Sequence, residues 1–236
     1  MDGVISVRDQ LILSSEPFVN AHWAQNIWKN PLILSIDSIN DAAKKPKGIQ
    51  RNWSLYSLML HRRAKLIEEK LNSNKPRPMQ FPTTFPIKGS GSWCLLDENT
   101  LLASSNCSSP FPNGQPAFIE DKKGPPNQAY LKLYEALTLA GKTPKAGEFC
   151  IDIGSSPGGW TWVIQKCGAD VLSVDRSSLD KKISSLKGVS FEKRDAFSLL
   201  PKEFEKDGKK VDWLFSDVIC YPEKLYNCLL YTSPSP

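Results

Sequence analysis

The chain has 236 residues, 40% of them hydrophobic, which is enough apolar material for a packed core in one or two domains. No apolar run approaches the roughly 18 residues of a membrane span and no secretory leader is recognisable, so we expect a cytoplasmic protein with no membrane partner. The net charge of +5 is too small to name a partner, and six scattered cysteines without a C-x-x-C pair argue against a disulfide scaffold or a metal site.

Positive charge is concentrated in residues 42–88, which hold eleven Lys or Arg against two Glu, a local charge of +9. Apolar residues at three- and four-residue steps predict one helix over residues 49–71. Its basic side chains fit either an RNA-contacting face or a solvated face, and the pattern leaves both open. The candidate RNA-binding residues are Arg51, Arg62, Arg63 and Lys65. His61 adjoins them, and His22 has no identifiable partner.

The rest of the first half predicts short elements. We expect a strand over 32–36, a short helix through Ala42 and Ala43 capped by Asp37 or Ser38, and a β-hairpin over 93–96 and 101–103. Residues 72–92 hold four prolines and two glycines, and they predict a semi-rigid linker without regular structure.

The second half alternates between helical and strand patterns. A helix is expected over 128–140, with Asn127 as its cap and Gly141 at its end. Short apolar runs predict strands over 149–153, 171–175, 189–193 and 211–216. This alternation is typical of a doubly wound α/β domain with a parallel sheet.

The stretch EFCIDIGSSPGGWTW, residues 148–162, joins the first of these strands to a helix through a glycine-rich turn. Such a turn either cradles a cofactor or is an ordinary connection, and the acid, proline and glycines favour the cradle. The candidate cofactor residues are Asp152, Gly154, Ser156, Pro157, Gly158, Gly159 and Trp160. The turn lacks the G-x-G-x-x-G pattern of dinucleotide sites, and a carboxylate at Asp152 would repel phosphate but attract an ammonium group.

Three further acids end or follow the later strands. Asp175, placed 21 residues after Gly154, suits both hydroxyls of a cofactor ribose, and its alternative role is a helix cap. Asp195 suits the adenine amino group or a loop cap, and Asp217 ends the fourth strand. With Asp152 these acids converge on one sheet edge and favour S-adenosylmethionine, which has a ribose and an amino-acid end. Lys132, on the preceding helix, could lean towards Asp217 and orient a hydroxyl nucleophile.

Five segments carry a family resemblance: YLKLYEAL and, after it, DIGSSPGGWTW, SVDRS, RDAF and FSDV. They resemble the FtsJ-like ribose 2′-O-methyltransferases of ribosomal RNA. Within this family they are most similar to the RlmM branch, which acts on a cytidine of 23S-type rRNA. The resemblance is specific over 125–227 and weaker over 21–120. It implies a Rossmann-like methyltransferase sheet preceded by a smaller α+β RNA-binding region, with RNA as the partner.

The resemblance also implies cofactor contacts at Ser156, Pro157, Gly158, Gly159, Asp175, Asp195 and Asp217. The family uses a Lys-Asp-Lys-Glu set, in which Lys132 matches the first lysine and Asp217 the aspartate. The sequence ends at Pro236 before the second lysine and the glutamate, and Ala129 stands where some members carry a serine.

We therefore expect a THUMP-like remnant over 1–120, a partial methyltransferase domain over 121–227 with an incomplete sheet, and a non-native tail over 228–236. Two other functions stay open. One is a non-catalytic fragment that binds cofactor or RNA. The other is methyl transfer to a non-RNA substrate, although the turn at 217–222 lacks the Asn/Asp-Pro-Pro-aromatic pattern of amino-directed enzymes.

Overall fold

The computed structural model describes residues 4–15, 21, 23–71, 78–83, 89–199, 210–221, 223 and 226. The chain divides into two compact units, the first comprising 1–79 and 85–117, the second 80–84 and 118–236. No helix in the described ranges is long and apolar enough to cross a membrane.

The first unit is rich in strands and carries two helices. In chain order its elements are β1 (Val4–Arg8), β2 (Leu11–Ser14), β3 (Trp28–Lys29), β4 (Leu32–Ser35), α1 (Ile39–Ile49), β5 (Trp53–Leu55), α2 (His61–Leu71), β6 (Gly91–Leu95), β7 (Thr100–Ser104) and β8 (Asn106–Cys107), followed by a 3-10 turn at Pro112–Gly114. Its main sheet has the order β4-β7-β6-β5, while β1–β2 and β3–β8 form two separate antiparallel pairs.

Several local predictions for this unit are confirmed. Ser38 caps α1, because its side chain accepts a hydrogen bond from the backbone N–H of Asp41 at 3.1 Å. The predicted hairpin is the antiparallel pair β6–β7. The linker prediction extended slightly too far, since Gly91 and Ser92 already belong to β6.

The single helix predicted over 49–71 is wrong. This segment contains the end of α1, the strand β5 and the helix α2, and Leu60, just before α2, has a left-handed backbone with φ 50°. Residues 53–55 form a strand rather than a helix because β5 pairs in parallel with β6 and Trp53 is then only 2% exposed. The indole N–H of Trp53 donates to the carbonyl of Pro46 at 3.0 Å. Sheet pairing and burial thus override a helical spacing of apolar residues.

The second unit contains α3 (Tyr130–Ala140), β9 (Phe149–Ile153), α4 (Gly159–Lys166), β10 (Asp170–Asp175), α5 (Lys181–Ser184), β11 (Val189–Lys193), a 3-10 turn at Ala196–Ser198, and β12 (Trp213–Ser216). All three strand pairings are parallel, in the order β11-β10-β9-β12. The four strands and their parallel arrangement confirm the prediction, although β12 starts two residues later than expected. The order of the strands changes direction at β9, because β10 and β11 lie on one side of it and β12 on the other. Such a switch point opens a crevice at the carboxyl ends of the strands.

The helices of this unit also follow the sequence. The helix α3 ends at Gly141, whose φ of 62° provides the left-handed cap. The helix starts two residues later than predicted, and its N-cap is Ala129, which has no side-chain capping hydrogen bond, rather than Asn127. Asn127 instead accepts a hydrogen bond from the backbone N–H of Ala129 at 3.2 Å in the turn before the helix. The apolar side chains of β9 and β10 form the core with Ala196 and Leu199.

Some predictions fall on residues that the structure does not describe. They concern His22, residues 72–77 and 84–88 of the linker, Pro222, and the tail over 228–236.

Candidate active site

A cleft of about 740 Å³ opens at the carboxyl ends of the parallel strands. Gly154, Asp175 and Asp195 line it together, as the sequence predicted, and Val218 and Ile219 follow directly after the predicted Asp217. The complete lining is Gly154, Asp175, Arg176, Ser177, Asp195, Ala196, Phe197, Val218, Ile219, Cys220 and Tyr221. The other residues predicted to contact the cofactor lie outside this lining, namely Asp152, Ser156, Pro157, Gly158, Gly159, Trp160 and Asp217.

The turn after β9 brings the backbone close to the exit of β12. Gly154 has φ 76°, and its N–H donates to the carbonyl of Val174 at 2.9 Å. A Cβ placed on Gly154 would lie 2.6 Å from Cγ2 of Val218. Only glycine fits this position, both for its backbone conformation and for the contact.

Asp175, at the end of β10, is held by the turn itself. Its Oδ2 accepts from the backbone N–H of Ser156 at 3.0 Å, and its Oδ1 accepts from the backbone N–H of Ser177 at 2.7 Å. Each carboxylate oxygen can accept a second hydrogen bond. The carboxylate is therefore fixed in position and still able to accept donors from the cleft that it lines.

Asp195 has protein partners for both of its oxygens. Oδ1 accepts from the backbone N–H of Phe197 at 3.0 Å and so caps the 3-10 turn, while Oδ2 is bonded to the guanidinium of Arg176. The cap and the cleft position occur together, although the sequence presented them as alternatives. The ion pair between Arg176 and Asp195 therefore links the segments that follow β10 and β11.

Lys132 of α3 meets Asp217 directly after β12, as its sequence position suggested. The Nζ atom lies 3.2 Å from each of the two carboxylate oxygens. The lysine side chain is 66% exposed and the aspartate side chain 35%, so solvent or a large substrate can reach the pair. This forked contact places an ammonium group and a carboxylate beside the cleft.

Asp152 behaves differently from the other acids, because its side chain is enclosed. It is 1% exposed, its Oδ2 accepts from the hydroxyl of Thr161 at 2.7 Å, and its Oδ1 has no hydrogen-bond partner among the described residues. Burial, reinforced by the negative charges of Asp217 and Asp175, raises the pKa of Asp152 to about 7, while the Thr161 hydrogen bond lowers it.

The remaining cradle residues hold helices together in this structure. A Cβ on Gly158 would lie 2.8 Å from Cγ2 of Ile183, and one on Gly159 would lie 2.3 Å from Oδ1 of Asn127. The indole N–H of Trp160 donates to the carbonyl of Ala129 at 2.9 Å. The peptide between Ser156 and Pro157 is cis, and the Ser156 hydroxyl donates to the carbonyl of Ser178 at 3.0 Å.

The basic residues of the first unit do not share one helix. Arg51 lies between α1 and β5, whereas Arg62, Arg63 and Lys65 lie on α2. Lys65 pairs with Glu68 at 2.6 Å, which offsets part of the positive charge of α2. His61 shares a hydrogen bond of 2.7 Å with Ser57. Their contact with RNA stays a prediction.

Sequence reasoning missed the polar residues that support the acids. Thr161 and Ser173 are buried behind Asp152, and Arg176 pairs with Asp195. Their signal was visible in part, since a hydroxyl stands inside each of the otherwise apolar runs of α4 and β10. The cleft wall formed by Phe197, Val218 and Tyr221 had no such signal.

The parallel sheet and the cleft at its switch point define the class: an α/β protein of the doubly wound kind, in which ligands bind at this edge of the sheet. Residues 126–225, a little under half of the chain, match the FtsJ-like methyltransferases, a family whose members use S-adenosylmethionine.

Curated relatives point the same way. A protein of Halorhodospira halophila named "Ribosomal RNA large subunit methyltransferase M" is 33% identical over 48% of this chain and 32% of its own length. A Xanthomonas campestris pv. campestris protein of the same name is 30% identical over 79% of this chain and 50% of its own length. The chain thus spans about a third to a half of the length of these relatives.

Among solved structures, a Lactococcus lactis protein provisionally described as a hemolysin has 29% sequence identity and a TM-score of 0.37, and covers 42% of this chain and 48% of its own. A likeness at this TM-score does not define a common fold.

Proposed function

We propose that the protein transfers a methyl group from S-adenosylmethionine to a ribose 2′-hydroxyl of large-subunit ribosomal RNA. When bound, the cofactor supplies a methyl group activated by its sulfonium centre. The names of the two relatives favour ribosomal RNA as the substrate. The observation that carries the proposal is the Lys132–Asp217 pair, whose aspartate directly precedes the cleft residue Val218.

The residues present fit the cofactor. The cleft volume of about 740 Å³ lies in the range of small-molecule sites. Asp175 retains free acceptor positions for ribose hydroxyls, and it shares the lining of the cleft with Gly154. Two buried oxygens of the turn region, Asp152 Oδ1 and Ser155 Oγ, lack partners among the described residues, which is typical of a polar binding region.

Lys132 and Asp217 suit a hydroxyl as the methyl acceptor. An ammonium group and a carboxylate can together donate to and accept from one hydroxyl, and so fix its lone pair towards the cleft. The Asp217 carboxylate can also accept the hydroxyl proton as the oxygen attacks, and the solvent that reaches the pair takes up this proton afterwards. Positioning of the acceptor is thus the main contribution of this pair.

The experiment is transfer of tritiated methyl groups to ribosomal RNA, with the ribose distinguished from the base by resistance of the adjacent phosphodiester to alkaline hydrolysis. We expect label in alkali-resistant dinucleotides. Label on a base, or on a non-RNA acceptor only, would contradict the ribose assignment. Cofactor binding without transfer to any acceptor would instead identify a non-catalytic binding protein.

A further inference from the structure

Three polar side chains form an enclosed chain of hydrogen bonds behind the glycine-rich turn. Asp152 of β9, Thr161 of α4 and Ser173 of β10 are respectively 1%, 0% and 0% exposed. Asp152 and Ser173 are register partners in the parallel sheet, and the Thr161 hydroxyl reaches both of them at 2.7 Å. The strand, the helix and the next strand are therefore joined by polar groups inside an otherwise apolar layer.

The hydrogens of this cluster can be assigned when Asp152 is ionised. A carboxylate only accepts, so the single proton of Thr161 must point at Asp152. The Thr161 oxygen then serves as an acceptor, and Ser173 must donate to it. Both hydroxyl dipoles are aligned towards the negative charge, and each strengthens the other.

The charged groups around Asp152 oppose its ionisation. Asp217, after β12, and Asp175, at the end of β10, both act on it as negative charges, and Cys150 on its own strand is a buried thiol. Lys132 pairs with Asp217 rather than with Asp152. Thr161 therefore favours the charged form by direct contact, mainly through its hydroxyl and to a smaller extent through its backbone N–H.

We propose that Thr161 and Ser173 are positioning residues that hold Asp152 ionised and oriented, so that its negative charge attracts the cationic amino-acid end of S-adenosylmethionine in the adjoining cleft. This inference rests on the proposed function. The hydrogen-bonded Oδ2 fixes the carboxylate, while Oδ1 keeps its acceptor positions. Gly154, two residues after Asp152, lines the cleft, so the charge lies close to it in a region of low dielectric.

The test is the pH dependence of S-adenosylmethionine affinity, measured by calorimetry between pH 5.5 and 8.5. In the wild type we expect affinity to rise as pH increases through about 7, where Asp152 ionises. Thr161→Val should move this midpoint upward by about one pH unit, which weakens binding about fivefold at pH 7. Ser173→Ala should move it upward by a smaller amount, and Thr161→Ser should restore it.

Two controls separate this role from packing. Thr138→Val makes the same change at another buried helical threonine, whose hydroxyl donates to Tyr134 at 2.7 Å within its own helix, and it should leave the midpoint unchanged. Asp152→Asn should remove the Asp152 step altogether. Titration of the ligand's own amino group is common to all variants and cancels in the comparison.

The ¹³C resonance of the Asp152 carboxyl, followed against pH without ligand, reads the same titration when a variant binds weakly. An unchanged midpoint in Thr161→Val by both measurements, or a shift as large in Thr138→Val, would overturn the inference. Wild-type protein that binds no S-adenosylmethionine at any pH would defeat the proposed function itself, and this inference with it.

Discussion

The acids of the site fall into two regions with different surroundings. Asp152 of β9 is buried in the interior, where its carboxylate accepts a hydrogen bond from the hydroxyl of Thr161 on α4. Asp175, Asp195 and Asp217 lie at the open edge, where backbone N–H groups, Arg176 and Lys132 surround them. All four end or follow neighbouring parallel strands, so the sequence pattern makes them look alike.

The difference predicts that Asp152 acts through its charge and that the acids of the open edge act through their hydrogen bonds. In the interior, desolvation dominates and raises the pKa of Asp152. At the open edge, solvent and fixed donors stabilise the carboxylates, which can therefore accept hydrogen bonds from a ligand. Three substitutions test whether the two regions are as distinct as their contacts indicate.

The largest expected effect concerns the interior acid and the stability of the unliganded protein. The folded pKa of Asp152 is about 7 against a reference of 3.8, so the folded state binds more protons between these values. The free energy of unfolding should therefore fall as pH rises from about 4 to about 7, by up to about 4 kcal/mol from this group.

Urea unfolding over this pH range measures the effect. Asp152→Asn should flatten the decline, because the amide does not titrate, whereas Asp170→Asn, at the exposed start of β10, should not. Equal pH profiles for the wild type and Asp152→Asn would show that Asp152 is ionised at little cost, and the contrast between the regions would fail.

The next effect concerns the open edge. Lys132→Ala should lower methyl transfer to RNA at least about a hundredfold, since it removes one of the two groups that orient the acceptor. It should change the Kd for S-adenosylmethionine by less than about threefold, because Lys132 is absent from the cleft lining. Single-turnover transfer and calorimetry measure the two quantities, with the exposed Lys142→Ala as the matched control. A parallel loss of cofactor affinity would place Lys132 in the cofactor site instead.

The smallest expected effect tests the role of Asp175 as an acceptor for the ribose hydroxyls of the cofactor. Asp175→Asn should weaken S-adenosylmethionine binding about tenfold, because the amide replaces one charged acceptor of a ribose hydroxyl. Because the negative charge of Asp175 opposes the ionisation of Asp152, the midpoint of the pH dependence should also move downward in this variant, whereas Thr161→Val moves it upward. Calorimetry at pH 6 and pH 8 separates the two behaviours. Unaltered affinity would remove Asp175 from the ribose site.

Much of the fold of the second unit could be predicted, because the secondary structure favoured by its local sequence is the one that its tertiary packing requires. Short apolar runs between helices produced all four parallel strands, and the acids after them identified the cleft. The pairing of Lys132 with Asp217 was also foreseeable, since the family resemblance linked two residues 85 positions apart. Their roles in methyl transfer and RNA recognition stay predictions.

The rest depended on tertiary structure. Trp53 belongs to a strand only because β6 offers it a partner, and nothing within 49–71 shows this. Burial of Asp152 follows from the packing of α4 over β9 and β10, so its raised pKa could not be read from the D-x-G pattern. The hydrogen bond from the indole N–H of Trp160 to the carbonyl of Ala129 joins residues 31 positions apart, and the local sequence does not show it either.

The contact between Gly154 and Val218 makes the cleft suitable for bump-and-hole engineering. Both residues line it, and the missing side chain at one meets a branched side chain at the other, so their contact sets the local width. Val218→Ala would open a hole of about two methyl groups without touching a polar contact of Asp175. A cofactor analogue enlarged by a similar volume would then discriminate between the altered protein and the natural one.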